Sequence, residues 1–425
     1  MKAVSVIVVG AGGRGWGYSN YAKKCPEQVR VVGVAEPRKF HRERVVREHG
    51  IAREMTFRTW QALAKQPRLA DAVLICTQDA MHEKPVAAFA RLGYAILLEK
   101  PMAPTARSCR RIVQHVREAD VTFAVCHVMR YTNYTRILKQ MLVDGLIGTI
   151  VNIDHYEPVG FWHQAHSFVR GNWRNEKESS NMLLAKSCHD IDWLSYIMDK
   201  PCTRVSSFGS LRHFRRSEQP AGAADRCLEC PLADTCVYSA KRFYFEKLEA
   251  GHLGWPLDVV DPETTAPTLE RALRDGPYGR CVYACDNDVV DNQVVNLQYA
   301  DGATANFTMT AFNPGGGRKT RIGGTLGYIE THESSVIRHY DFATKQWKEI
   351  DTAASDASIL GGHGGGDGGV MAAFLHAVAT GDRSRILSGP DATLESHMTV
   401  FAAEQARRKG RVVELARFNG GAERG

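Results

Sequence analysis

The cysteines of "RCLECPLADTC" are spaced as metal ligands often are. Cys227 and Cys230 form a tight chelating pair, Cys236 follows, and Cys281 and Cys285 offer a fourth thiolate later in the chain. Four thiolates suit tetrahedral zinc, and the alternatives are an iron–sulfur cluster or unbound thiols. We predict a structural zinc with Cys281 as the fourth ligand, because the Asp-Asn-Asp after Cys285 suits a solvated turn.

A second chemical feature is Glu99-Lys100-Pro101, which ends the apolar run "YAILLEKP". Lysines before prolines are often solvated turn residues, but here a predicted buried strand leads directly into the lysine. Thr77 and His82 follow the preceding apolar run in the same way. Because open α/β sheets bind ligands at the carboxyl ends of their strands, we predict that Lys100 faces a ligand. We assign Thr77, His82 and Glu99 to a cofactor site.

A third feature is a crowd of aromatic and basic residues in "FWHQAHSFVRGNWR". Aromatic faces suit the C–H faces of a sugar ring, and arginines suit carboxylate, sulfonate or phosphate groups. A loop anchored by its own aromatic residues is the alternative. The candidate substrate-binding residues here are Trp162, His163, His166, Arg170, Trp173 and Arg174.

The elements that position these residues begin with "VSVIVVGAGGRGWG", a buried strand followed by a glycine turn and a helix. This is the G-x-G-x-x-G arrangement that places a dinucleotide pyrophosphate at a helix N-terminus. A second strand ends at Glu36, where a carboxylate would accept from both ribose hydroxyls and favour NAD, while nearby Arg38 weakens that preference. The predicted cofactor residues of this turn are Gly10, Gly12, Gly13, Arg14 and Gly15.

Later patterns predict a second, mixed domain. We expect a strand at about 149–156, a helix carrying "HDIDWLSYIM", a hairpin around Ala300-Asp301-Gly302 and a final helix ending at Gly410. "GGHGGGDGG" at 361–369 predicts a flexible loop, and the Pro-, Gly- and charge-rich segment 210–285 promises little core. A metal clip would compensate for that deficit.

Composition excludes several classes of protein. The chain has 425 residues, is 44% hydrophobic and carries a formal net charge of +7 from 54 basic and 47 acidic residues. This mild charge and the lack of long basic runs argue against nucleic-acid binding, although an anionic small substrate is compatible with it. No apolar run approaches a membrane span, and the scattered, odd-numbered cysteines indicate a reducing compartment, so we expect a cytoplasmic protein.

The motifs "GAGGRG", "DAVLICTQDAMH", "LLEKPMA" and "HDIDWL" together resemble the Gfo/Idh/MocA oxidoreductases, over most of the chain except about 210–285. The resemblance implies an α/β protein. Residues 1–128 would form a Rossmann domain with a doubly wound parallel sheet. Residues 129–425 would form an α+β domain whose large, mostly antiparallel open sheet holds the substrate, with the cysteine-rich segment as an insertion. It also implies a cis bond before Pro101 and a homo-oligomer, a dimer or tetramer.

The resemblance further assigns site residues. It implies that Lys100 contacts the reacting hydroxyl and the nicotinamide region, and that His189 and Asp192 match the histidine and following acid of the family motif. The motif's earlier aspartate is missing, since position 185 is alanine and Lys186 follows. We predict His189 as general base, Asp192 as a substrate contact, and Lys186 either as a second proton relay or as a solvated lysine.

Three functions fit these features. The first is NAD-dependent hydride transfer to or from a hydroxyl carbon of a sugar or polyol. The second keeps NAD bound and combines transient oxidation, elimination, hydration and re-reduction, which gives net glycoside hydrolysis. The third is a non-catalytic NAD-binding sensor that uses the cysteines for redox or metal sensing, but the chain has no recognisable DNA-binding helix pair.

Overall fold

The computed structural model describes residues 2–332, 336–352 and 362–421. A six-stranded parallel sheet forms first, in the order β3-β2-β1-β4-β5-β6. Valine-rich strands such as β1 are buried on both faces because helices cover both sides of the sheet. The strands are β1 Val4–Val9, β2 Val29–Ala35, β3 Thr56–Phe57, β4 Ala72–Ile75, β5 Ala95–Leu98 and β6 Phe123–Val125.

Six helices accompany this sheet, and the longest, α6, begins at a Thr105 cap that accepts from the backbone of Ser108. With the strand order, they make the doubly wound Rossmann arrangement predicted from the sequence. The helices are α1 Gly13–Ser19, α2 Tyr21–Lys24, α3 Lys39–His49, α4 Trp60–Ala64, α5 Glu83–Arg91 and α6 Ala106–Glu118.

The second sheet has nine strands in the order β14-β13-β12-β11-β7-β10-β9-β8-β15. Of its described pairings only β7 with β10 is parallel, so the sheet is mostly antiparallel, as predicted. The predicted hairpin joins β9 to β10 through Gly302, at φ +90°. The strands are β7 Ile150–Pro158, β8 Cys202–Ser210, β9 Asn292–Tyr299, β10 Thr304–Thr310, β11 Lys319–Gly324, β12 Gly327–His332, β13 Val336–Asp341, β14 Gln346–Asp351 and β15 Val413–Glu414.

One face of this sheet packs on α9, where Trp193 is completely buried and stacks on His155. The cis bond between Lys100 and Pro101, expected from the family resemblance, is present. Among the described residues no helix is long and apolar enough to cross a membrane. The remaining helices are α7 Asn133–Val143, α8 Phe161–His163, α9 Met182–Met198, α10 Ala240–Glu249, α11 Leu257–Val260, α12 Ala266–Asp275, α13 Gly366–Thr380, α14 Pro390–Lys409 and α15 Leu415–Gly421, with a π-helix at Gln164–Arg170.

Two expectations about the second half need correction. The segment between β8 and β9 does build a small core of its own, in which Tyr244, Leu257 and Leu273 are fully buried. The glycine-rich run is not only a loop, because α13 starts inside it at Gly366, and a Cβ there would collide with the Val128 backbone. The side chain of His363 lies outside the described residues. Helix α13 packs on the first sheet, so the chain returns to its N-terminal domain.

Candidate active site

The glycine turn between β1 and α1 is shaped by close backbone contacts. Gly10 has φ +89°, and a Cβ there would lie 2.6 Å from the Cys76 carbonyl oxygen. A Cβ at Gly15 would overlap the Gly10 carbonyl, whereas Gly13 has open space beside it. Only glycine fits the first two positions, and the open side leaves room for a nucleotide to approach the backbone. These residues fit a dinucleotide.

Glu36 lies at the end of β2 against this turn. Its carboxylate accepts from the backbone of Ala11 at 2.7 Å and from Arg38 at 2.8 and 3.0 Å. Burial acts to raise the pKa of Glu36, but the bonds from Arg38 outweigh it and hold that pKa below its ordinary value. Arg38 therefore occupies the carboxylate of Glu36, and the ribose contact predicted for Glu36 stays a prediction.

Arg14 follows the glycine turn, but its guanidinium points to carboxylates. Its Nε donates to Glu99 at 2.6 Å and its Nη2 to Asp367 at 2.6 Å. Glu99 in turn accepts from the backbone N–H of Lys100 at 2.7 Å. Arg14 and Glu99, predicted as direct cofactor ligands, are placed here as supports for the strand end that carries Lys100. Asp367 is the third member of this support.

His82 is fully buried and braces the same strand end. Its Nδ1 lies 3.0 Å from the Pro101 carbonyl and its Nε2 lies 3.0 Å from the Thr77 carbonyl. The imidazole thus links the loop after β4 to the turn after β5. Thr77 itself is half-buried at the mouth of the cleft. His82 positions the site, and the cofactor contact predicted for it stays a prediction.

The ammonium of Lys100 crosses to the second domain. Its Nζ donates to the carbonyl oxygen of Ala185 on α9 at 3.1 Å. Ala185 is the position where the family motif carries an aspartate, so a neutral carbonyl stands near the place of that carboxylate. An ammonium has three N–H donors, and this bond uses one. Lys100 therefore lies between the two domains, in the region that we call the cleft. Two of its N–H donors remain for a ligand.

His189 lies just after a break in α9, where Ser187 takes the non-helical φ −114° and ψ 15°. The sequence placed His189 in the first turn of a helix, and this holds for the part of α9 beyond the break. Its ring contacts the ring of His127 edge-on at 5.7 Å between centroids. Burial lowers the pKa of His127 to about 3, although Asp192 acts to raise it. The neighbour of His189 is thus a neutral imidazole.

Lys186 belongs to a charge network that the sequence did not predict. Its Nζ lies 2.8 Å from Glu157, and Arg318 lies 3.1 Å from the other oxygen of Glu157. Arg318 also pairs with Asp190 at 2.5 Å, and Asp190 accepts from His155 at 3.0 Å. Burial acts to raise the pKa of Asp190, but Arg318 and His155 outweigh it and hold that pKa well below its usual range. Lys186 is therefore paired rather than solvated.

Asp192 was predicted as a substrate contact, but its carboxylate is held by other side chains of the protein. Arg130 holds both carboxylate oxygens at 2.7 and 2.8 Å, and Ser396 donates to one of them at 2.8 Å. Asp192 is 1% exposed. It ties α9 to α14 and to the segment after β6, so its role is to join the elements around the cleft.

The aromatic and basic run divides into two parts. His163 follows β7, whose Glu157 pairs with Lys186. Burial lowers the pKa of His163 well below its usual range, and Lys186, His166 and Lys100 act in the same direction. Trp162 stacks on His163 at 5.5 Å between ring centroids. The run's other end, including Arg170, turns toward the insertion through the π-helix.

Four substrate-binding predictions are therefore not supported by the contacts. His166 bonds to Tyr244 at 2.7 Å, and Arg174 pairs with Asp286 at 2.9 Å. Arg170 donates to the carbonyls of Arg280 and Tyr238, each at 2.7 Å. Trp173 packs on Phe168 at 6.2 Å between ring centroids. His166, Arg170 and Arg174 therefore contact the insertion or its base, whereas Trp173 is 38% exposed and its substrate contact stays a prediction.

The four predicted zinc ligands Cys227, Cys230, Cys236 and Cys281 line one cavity of about 310 Å³. Cys285 points elsewhere and donates to the carbonyl of Cys281 at 3.2 Å. In residues 2–332, 336–352 and 362–421, however, no three His, Cys, Asp or Glu side chains stand close enough together to hold a metal ion. The four thiols therefore share a cavity but do not form a metal site in this geometry.

Comparison with known proteins supports both halves of the chain. A family model described as "Oxidoreductase family, NAD-binding Rossmann fold" matches residues 4–127. A second, described as "Oxidoreductase family, C-terminal alpha/beta domain", matches residues 139–415.

Individual relatives are more distant. The putative oxidoreductase YteT of Bacillus subtilis is 24% identical over 308 residues, which is 70% of either chain. The 2,7-anhydro-N-acetylneuraminate hydratase of Escherichia coli is 29% identical over 147 residues, 34% of this chain and 38% of that protein. A solved levoglucosan dehydrogenase in complex with NADH and levoglucosan shares the fold, with a TM-score of 0.71 and 18% identity over 97% of this chain and 99% of that one. With both family models matched across the two domains, this chain belongs to the Gfo/Idh/MocA family of NAD-binding oxidoreductases.

Proposed function

We propose that the protein transfers a hydride between a hydroxyl carbon of a sugar or polyol and the nicotinamide of NAD. The observation that carries this proposal is the bond from Lys100 to Ala185. It places a cation at the carboxyl edge of the nucleotide-binding sheet and directly against the substrate-domain helix that carries His189. Relatives named inositol 2-dehydrogenase and levoglucosan dehydrogenase act on molecules of this class.

NAD bound on the glycine turn would supply the hydride acceptor at its nicotinamide. Two remaining N–H donors of Lys100 can bind the substrate hydroxyl oxygen and stabilise the negative charge that develops there. His189, four residues after Ala185 on α9, would accept the hydroxyl proton. Glu99 and His82 keep Lys100 in position through the strand end that they brace.

An anionic substrate is compatible with the charges. Lys186 and Arg318 share the carboxylate of Glu157, and Arg318 also pairs with Asp190, so these two cations are matched by two carboxylates. Lys100 forms no ion pair within the part of the chain that the structure describes. We propose that a carboxylate or other anionic group on the substrate is tolerated rather than required.

The redox-neutral reaction is the second candidate, and the Lys186–Glu157 pair favours it. After oxidation of one hydroxyl carbon, elimination needs a base at the neighbouring carbon and an acid at the leaving oxygen. A paired lysine and carboxylate near His163 offer both groups. The similarity to a hydratase of an anhydrosugar supports the same reading.

One experiment separates the two candidates. Purified protein is mixed with NAD and a panel of hexoses, inositols, uronic acids, anhydrosugars and aryl glycosides. Steady NADH formation from a free sugar supports the dehydrogenase, and aglycone release or hydration without net NADH supports the redox-neutral reaction. If no panel member is bound or converted, the proposed function is wrong.

We further propose that the cavity lined by Cys227, Cys230, Cys236 and Cys281 binds zinc when these thiols move closer to one another. Arg170 supports this, because its guanidinium is 3% exposed and makes its described bonds to two carbonyls and to Cys227 Sγ at 3.6 Å. No described carboxylate pairs with it, and zinc thiolates would supply the missing negative charge. Metal analysis should find about one zinc per chain, which Cys230→Ser loses and Cys202→Ser keeps. Metal-free protein of unchanged stability would exclude zinc.

The open face of the second sheet bears on how the protein assembles. The open sheet exposes Val151 and Phe208, which are 51% and 69% exposed. We propose that this face joins copies of the chain into a dimer or tetramer, which light scattering would test.

All eleven cysteines are free thiols, which supports a reducing compartment and hence a cytoplasmic location. The domain boundary near residue 128 also stays a proposal.

A further inference from the structure

The cysteine-rich insertion reaches back to the active-site cleft through Trp255. The indole ring packs edge-on against His163 with 5.1 Å between centroids, and it lies 5.4 Å from the ring of Trp162. His163 and Trp162 follow β7, whose Glu157 pairs with Lys186. A Cβ at Gly315, three residues before Arg318, would lie 3.6 Å from Trp162 Nε1. Trp255 therefore packs on the segment that connects to both sides of the charge network.

The segment after Trp255 continues toward the nucleotide-binding domain. Helix α11 carries Asp258, whose pKa is raised by burial while Arg44 of α3 acts to lower it. Arg44 stacks on Trp16, 4.3 Å from the ring centroid, in the helix after the glycine turn. Residues 255–258 thus begin against the substrate domain, and Arg44 of the Rossmann domain acts electrostatically on Asp258 near their other end.

Trp255 keeps much of its ring uncovered. It is 49% exposed, although three aromatic rings of the substrate domain, Trp162, His163 and His166, pack around it. The uncovered part of the indole face suits the C–H face of a pyranose or cyclitol ring.

We propose that Trp255 is a specificity-determining residue whose ring stacks on the sugar bound between Lys100 and the charge network. The insertion then has a second role besides its proposed zinc site, because it completes the substrate pocket. This inference rests on the proposed sugar substrate. It adds a named contact from a part of the chain that lies outside the motifs of the family.

The test uses NAD-loaded protein and the sugar of the panel with the lowest KM. Trp255→Ala should raise that KM by about tenfold, the scale of one aromatic contact, and should leave the Kd for NAD unchanged. Trp255→Phe should keep KM within about threefold of wild type. Trp255→Leu should resemble Trp255→Ala, because it restores apolar packing against Trp162 but has no ring face.

Trp347→Ala is the matched control, since Trp347 on β14 is 43% exposed and far along the sheet order from the cleft-side strand β7. It should not change KM. If Trp255→Leu restores the wild-type KM, the residue only packs, and the inference is wrong. If Trp255→Ala binds the sugar like wild type, the inference is also wrong while the proposed function stands. If the wild type binds no sugar, both are wrong.

Discussion

The two sides of the cleft hold their cations in different ways. On the nucleotide side, Lys100 is bonded to the neutral carbonyl of Ala185. On the substrate side, Lys186 and Arg318 share the carboxylate of Glu157, and Arg318 also pairs with Asp190. A carbonyl orients an ammonium and leaves its charge in place, whereas a carboxylate neutralises most of it. We therefore propose that Lys100 stabilises charge during the reaction and that Lys186 and Arg318 position the substrate.

The largest loss of activity should come from removing the ammonium of Lys100. Lys100→Ala should lower kcat by on the order of 10³-fold, because the developing alkoxide loses its main donor. The Kd for NAD should change little, since the glycine turn is untouched. Lys84→Ala, an exposed lysine on α5, is the control and should be silent. If Lys100→Ala keeps substantial turnover, Lys100 is not the stabilising cation.

Sequence patterns singled out Lys100 but missed Arg318 and Glu157, and the reason is physical. Lys100 and the glycine turn are local features, since each follows directly from a buried strand and its end. Arg318 meets Glu157 only because β11 pairs with β7 in a register that sets Lys319 opposite Tyr156. No spacing along the chain shows that register. The alternation in "NIDHYEP" hinted that His155 and Glu157 share a face, but not what lies across from them.

Arg170 and His166, which the sequence assigned to the substrate, also show that tertiary contacts cannot be read from spacing along the chain. Arg170 and His166 have the chemistry of a substrate site, and their spacing near Trp162 is correct. The π-helix at Gln164–Arg170 turns them toward the insertion, where they meet Cys227 and Tyr244. A π-turn depends on tertiary packing that single-sequence periodicity does not report. Composition likewise underestimated the insertion, whose few apolar residues converge on one small core.

The second-largest effect concerns the buried imidazoles behind Lys100. His397 accepts from the backbone N–H of Met102 at 2.9 Å, and burial lowers its pKa to about 4. The unfolded chain binds this proton near pH 6.5 and the folded chain does not, so stability falls as pH drops below about 6.5. We expect a loss of about 3 kcal/mol between pH 6.5 and pH 4 from this group.

Denaturant unfolding across that pH range measures this loss. His127 titrates in the same direction, so the total loss should exceed that of His397 alone. His252 is exposed to solvent between α10 and α11, and His252→Gln should therefore leave the pH profile unchanged. A flat profile between pH 6.5 and pH 4 would show that these imidazoles are not held neutral.

A smaller effect should come from uncoupling the paired cations. Glu157→Gln removes the shared carboxylate, so Lys186 gains free charge and Arg318 keeps only Asp190. We expect kcat/KM to fall by about tenfold, mainly through KM, because positioning is lost while Lys100 remains. The double variant Glu157→Gln with Lys186→Met should fall by less than the sum of the single effects, since the two residues act as one unit. Additive losses would mean that they work separately.

The smallest effect tests the same principle at the nucleotide end, where Arg38 neutralises Glu36. Arg38→Ala should free the carboxylate for the ribose hydroxyls and restore its repulsion of a 2′-phosphate. NAD affinity should rise by about threefold, and the preference over NADP should widen, because one charge-assisted bond is exchanged for another of similar strength. Titrations with both cofactors measure this, with Arg42→Ala as control, since Arg42 contacts the backbone carbonyl of Glu36 and not its carboxylate. Weaker NAD binding in Arg38→Ala would instead assign Arg38 to the cofactor, as a ligand that leaves Glu36 when the nucleotide binds.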